Sequence, residues 1–165
     1  MPIKPSHILG MNARYYYTKL NPPHARAFGF SKFKTKKLLI EHHIPTAELY
    51  HVFENFSDLE SIVWENIPCP FVVKPASGSA GKGVLVITKR IHNQLKWLDN
   101  EKREVTLEDL NLHVQNILDG EYSTWGNKHM ALVEEMIIAH PTLRKLAYSG
   151  TPDIRIIVFN SVPIM

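Results

Sequence analysis

Two apolar, β-branched runs lie close together in the middle of the chain: Phe71-Val72-Val73-Lys74-Pro75 and Val84-Leu85-Val86-Ile87-Thr88. The segment joining them is Ala76-Ser77-Gly78-Ser79-Ala80-Gly81-Lys82-Gly83, in which every residue but Lys82 is glycine, alanine or serine. Two strands joined by such a loop read as an antiparallel hairpin with a long small-residue tip. Glycines permit positive φ and close backbone approach, so successive N–H groups can converge on an anion. Lys74 before the loop and Lys82 within it supply point charge to a phosphate. The pattern is not a P-loop, which needs Gly-Lys-Ser/Thr opening a helix, because Lys82 is followed by Gly83 and a β run. Nor is it the dinucleotide fingerprint, whose glycines also open a helix. A strand–loop–strand flap of this kind closes over the phosphates of a nucleotide and excludes water. The plain alternative is a surface hairpin without function. A lysine beside Phe-Val-Val, on a partly buried face, weighs against it.

The rest of the chain mixes helices and strands without regular alternation. Ser31 reads as the N-cap of a helix ending near His43, because Pro45 pushes Ile44 out of helical space. Residues 47–53 read as a short strand and 58–64 as a helical turn or short helix. A second helix covers about 107–119, started by a capping box of Thr106 and Asp109 and stopped at Gly120. Its Leu107, Leu110, Val114, Ile117 and Leu118 fall on one face. Residues 131–138 and 153–159 read as core strands, and Val162 begins another after an Asn160-Ser161 turn. Residues 1–30 show no clear period. Hairpins combined with helices in this way point to an α+β fold.

Composition narrows the function classes. With 44% hydrophobic and 21% charged residues in 165, the chain is an ordinary globular one, not a disordered tail. A single cysteine, Cys69, excludes a disulfide scaffold and a cysteine-rich zinc site. His42-His43, His113, His129 and His140 lack metal-ligand spacing. No apolar run approaches the roughly 18–20 residues of a membrane span. The first residues carry no signal-peptide core, so a cytoplasmic location is the default. Charge is uneven: residues 1–45 hold eight Lys/Arg and one acid, Glu41, while the remainder is net acidic. A basic N-terminal third attracts an anionic partner, nucleic acid among them, or is simply a solvated basic face. Nothing in it matches a nucleic-acid motif, although Tyr15-Tyr16-Tyr17, Phe28, Phe30 and Phe33 interleave with the basic residues.

As an ordered set these segments resemble the ATP-grasp superfamily, in particular the α-L-glutamate ligase-like proteins. Val73-Lys74-Pro75 with Ser77 to Val84 resembles the ATP-grasp flap. The lysine-rich helix from Ser31 followed by Ile44-Pro45, the strand Val133-Glu134-Glu135-Met136-Ile137 and the segment Asp153-Ile154-Arg155 resemble further family segments, in the family's order. So do the opening Leu9-Gly10-Met11-Asn12 and Gly150-Thr151-Pro152-Asp153. The resemblance implies an N-terminal segment over 1–30, a lid subdomain with the glycine flap over 31–130 and the start of a C-terminal ATP-grasp lobe over 131–165. It also implies ATP as cofactor and a reaction in which a carboxylate takes the γ-phosphoryl group and an amine then displaces it.

The same resemblance assigns roles. Lys74 corresponds to the lysine on the α- and β-phosphates, and Lys32 to the second nucleotide lysine, with Lys36 its competitor. Ser77, Gly78, Ser79, Ala80, Gly81, Lys82 and Gly83 form the phosphate flap. Glu135 accepts from the adenine amino group, with Glu134 the alternative because strand alternation sends one to each face. Backbone atoms of Met136 and Ile137 read the ring edge, and Asp153 holds the ribose. Arg155 is a substrate contact or an ion-pair partner, and Trp64, Trp97 and Trp125 are core or interface residues.

The family's magnesium ligands belong to strands after the position of Asp153, and the given sequence runs only to Met165. The expectation is an incomplete ATP-grasp fold that lacks its magnesium ligands. A downstream partner chain would then supply them; a homo-oligomer is the alternative partner. A non-catalytic nucleotide-binding module is the second reading, and polyanion binding through residues 1–45 the third.

Overall fold

The computed structural model describes residues 20–78, 80–91, 94–122, 128–145, 153–154 and 156–163. Ser79, Arg155, Trp125, Tyr15-Tyr16-Tyr17 and the segments Leu9–Asn12 and Gly150–Pro152 lie outside them. The chain divides after Glu135 into two compact units.

Among the described residues, the first helix of the first unit is one that the sequence reading missed, α1 (Pro23–Phe30), with Pro23 in its first turn. That position tolerates proline because its N–H has no partner in the helix. Next comes α2 (Lys32–Glu41), where Ser31 Oγ accepts from the Lys34 N–H at 3.3 Å as expected of an N-cap. Strand β1 (Leu49–Phe53) is followed by the short helix α3 (Asp58–Ser61) and a 3-10 turn at Trp64–Asn66. The hairpin is β2 (Phe71–Pro75) and β3 (Leu85–Ile91), paired antiparallel through Phe71–Ile87 and Val73–Leu85. Two further strands, β4 (Lys96–Asp99) and β5 (Glu104–Thr106), form a second hairpin. Its turn is built on Asp99, whose carboxylate accepts from the N–H groups of Glu101 and Arg103 and from Arg103 Nε. Helix α4 (Leu107–Leu118) then starts on the expected capping box of Thr106 and Asp109. Strand β6 (Ala131–Glu135) closes the unit.

These strands form one sheet, antiparallel throughout, in the order β1-β6-β2-β3-β4-β5. The core lies where α4 meets the sheet: Leu110, Val114 and Ile117 pack with Phe71, Val73, Ile87, Trp97 and Val133, all fully buried. Trp64 joins this core, stacking on Phe71 and donating its indole N–H to Asn111. Burying such side chains stabilises by about 1.5–3 kcal/mol each.

Strand β6 ends at Glu135, short of the expected 138. Glu135 pairs with Phe71, the first residue of β2, and Pro70 before it has no N–H with which to extend the ladder. In the second unit, α5 (Pro141–Arg144) is capped by His140, and β7 (Val158–Phe159) pairs with β8 (Val162–Pro163) across Asn160-Ser161, both at positive φ. Among the described residues of 153–159 only this pair is strand. No described helix is long and apolar enough to cross a membrane.

Candidate functional site: a lysine cluster at the root of a glycine flap

Register decides which side chains meet. Val72 pairs with Glu134 and Lys74 with Leu132. Opposed residues share a face and alternate residues return to it, so Lys74 and Glu134 lie on one face. Phe71 and Val73 occupy the opposite, core face. Lys74 Nζ donates to Glu134 Oε1.

Helix α2 adds two more ammonium groups from positions one turn apart. Lys36 Nζ lies 3.0 Å from Glu134 Oε2, and both side chains are almost completely buried. The same ammonium donates to Thr46 Oγ1 at 3.2 Å and to the Ala47 carbonyl. Glu134 Oε2 has no aligned hydrogen bond, so its contact with Lys36 is one of charge and distance. Lys32 Nζ donates to the carbonyls of Pro75 at 3.3 Å and Gly78 at 3.1 Å, and its backbone N–H to Ala76 at 2.8 Å. The start of α2 is thereby tied to the root of the loop.

Two ammonium groups thus meet one buried carboxylate, and that of Lys32 stands near enough to repel Lys74. Burial, then repulsion from Lys36 and Lys32, brings the pKa of Lys74 down to about 8. Burial also lowers Lys36, against an opposing pull from Glu135, and lowers Lys32. Clustered cations in a partly desolvated setting are stabilised by any anion that joins them.

The loop above is held at both ends. Gly78, Gly81 and Gly83 have positive φ. A Cβ on Gly83 would come within 2.5 Å of the Tyr122 ring, and one on Gly78 within 2.9 Å of the Tyr122 carbonyl oxygen. His113 Nε2 lies 3.1 Å from the Gly83 carbonyl, which makes this nitrogen the donor. Burial keeps His113 below the usual imidazole range, against a pull upward from that same bond. Between these fastenings Ala80, Gly81 and Lys82 are exposed.

The structure brings together Lys74, Glu134 and the competitor Lys36, while Lys32 is engaged by loop carbonyls instead. Glu135 is exposed, and its carboxylate accepts from the Glu48 N–H at 3.3 Å. Met136, Ile137 and Asp153 belong to the second unit, where Ile137 and Asp153 are exposed. His113 and Tyr122 were missed as loop anchors. His113 sits next to Val114 of the apolar stripe, and that position alone carries no sign of the loop. Among the described residues no three His, Cys, Asp or Glu side chains converge to hold a metal ion.

The family model of sugar-transfer associated ATP-grasp proteins matches residues 11–165. The chain belongs to this family. As an ATP-grasp protein it is a ligase-like user of ATP, typically with magnesium in the superfamily. No curated protein matches the sequence. The mixed helices and antiparallel sheet agree with an α+β ATP-grasp architecture.

Proposed function

We propose that this ATP-grasp protein binds ATP on the Lys74 face of its sheet, with the glycine loop over the polyphosphate, and spends the γ-phosphoryl group on carboxylate–amine ligation of the glutamate-ligase type. The observation that carries the reading is the meeting of Lys36 and Lys74 on a single buried carboxylate, Glu134, at the root of that loop, with Lys32 beside them on the loop carbonyls. Lys74 meets the α- and β-phosphates. Lys36 holds Glu134 in place. Lys32 orders the loop root, beside backbone N–H groups of 77–83 that face the phosphate oxygens. The face shared with Lys74 favours Glu134 over Glu135 for the adenine amino group; a carboxylate oxygen that already accepts one bond has a second lone pair for another. The roles of Met136, Ile137 and Asp153 toward ring edge and ribose rest on the resemblance alone.

In this reaction a carboxylate oxygen attacks the γ-phosphorus, the β–γ bridging P–O bond breaks and ADP departs. The amine nitrogen then attacks the acyl carbon, inorganic phosphate leaves and the amine proton passes to solvent. The contribution of the described residues is positioning and charge neutralisation. The family is associated with sugar transfer, so carboxylates and amines carried on sugars are the first substrates to try.

The test is calorimetric titration with ATP and magnesium beside Lys74→Ala. Affinity should fall at least about tenfold, the equivalent of about 1.4 kcal/mol. Equal affinity would overturn the nucleotide assignment. Bound ATP that yields no ADP with any carboxylate–amine pair would overturn the ligase part alone.

A further inference from the structure

Helix α2 has a second face. Lys32 and Lys36 point to the loop root and to Glu134, while Phe33, Lys34 and Lys37 line a cleft of about 680 Å³ between α2, α1 and the ends of β1 and β2. That volume lies within the range of small-molecule sites, about 300–1,000 Å³. Its walls combine two kinds of surface. Phe30 and Phe33 are apolar; Arg26, Lys34 and Lys37 are basic. The one acid on the lining, Glu54, is already paired with Lys128. Arg26 and Lys34 have no acidic partner among the described residues, and Lys37 Nζ stands 4.5 Å from the centre of the Phe33 ring. Ser77 also lines this cleft. It is 4% exposed, and its Oγ has no hydrogen-bond partner. A buried hydroxyl without a partner carries a desolvation cost, which a ligand oxygen would relieve.

We infer that the cleft between α1 and α2 is a second binding site, for an organic anion: a phosphate or carboxylate carried on an apolar or ring-shaped body. Arg26 and Lys34 supply the counter-charge, with Arg26 able to bind two anion oxygens at once. Phe33, with Lys37 fixed over its ring, supplies a flat surface for the body of the ligand. Ser77 Oγ donates to the anion. Ser77 is also the first residue of the glycine loop, so the site abuts the loop without sharing the lysines of the Lys74 face.

The experiment titrates the whole chain, without nucleotide, with phenyl phosphate, benzoate and inorganic phosphate, followed by calorimetry. Phenyl phosphate or benzoate should bind saturably and more tightly than inorganic phosphate; whichever aryl probe is tighter identifies the anionic group. The exposed pair Arg26→Gln/Lys34→Gln should weaken that probe at least tenfold with unchanged Tm. Phe33→Ala should weaken the aryl probe and spare inorganic phosphate. Lys74→Ala should leave the affinity for the tighter aryl probe unchanged. No saturable binding overturns the site, as does indifference to the Arg26/Lys34 pair. Loss with Lys74→Ala also overturns it, by assigning the anion to the other face of α2. Because that variant separately tests ATP binding, the two assignments fail independently.

Discussion

Lys74 and Glu134 come from strands β2 and β6, two residues out of register, and meet on the sheet face that turns away from the hydrophobic core. Each is placed by the strand that also buries Val73 or Val133 on the other side. The position of the charged pair is therefore fixed by core packing, and its chemistry is free to serve an anion.

Glu134 is the only carboxylate that contacts both Lys36 and Lys74 among the described residues. Glu134→Ala leaves buried ammonium groups facing one another, and the cost of such an unpaired buried charge is about 3–5 kcal/mol. Urea denaturation should show a loss in this range, with Glu134→Gln losing less.

The lowered pKa of Lys74 sets a pH window. The native state sheds this proton near pH 8, while the unfolded chain keeps it to the ordinary lysine value of 10.5. Between those values the unfolded state binds more protons, so Lys74 makes stability rise with pH there; below about 8 the cost of the buried charge is full. An anion needs the protonated form. ATP affinity should fall by up to about tenfold per pH unit above 8, with proton uptake on binding. Calorimetry across pH 7–9.5 in buffers of different ionisation enthalpy measures both. Lys74→Arg, charged throughout, should flatten the profile.

Two glycines of the loop separate crowding from backbone strain. Gly81 and Gly83 share a positive φ near 70°, but a Cβ on Gly81 meets nothing within 4 Å, whereas on Gly83 it strikes the Tyr122 ring. Gly81→Ala should cost about 1–2 kcal/mol, the left-handed penalty alone. Gly83→Ala should cost more and weaken ATP binding further, since the ring must move. Thermal unfolding and titration of both variants check the order.

Thr106→Ala removes the capping box of α4 and should cost about 1 kcal/mol. Its effect on ATP affinity should be small, because Thr106 lies on β5 at the far edge of the sheet.

The hairpin, α2 and α4 were legible because each is written locally, in alternation, an N-cap or a capping box. Lys74 was legible for the same reason. The choice between Lys32 and Lys36 was not. Both lie on the same lysine-rich helix, and what buries Lys36 is Thr46, Ala47 and Glu134, set by β1 and β6 after folding. Strands β4 and β5 escaped notice because they are short and half polar, and their turn depends on Asp99 accepting from Arg103. The strand expected to 138 stopped at 135 because its partner begins at Phe71, which the sequence of β6 does not record.

Tyr122 stands close to both ends of the glycine loop, its carbonyl oxygen beside Gly78 and its ring against Gly83. A single residue after α4 therefore sets the width of the loop's mouth. A substitution that displaced Tyr122 would therefore act on both ends of the loop at once. A change in loop length would have to be absorbed at the tip alone.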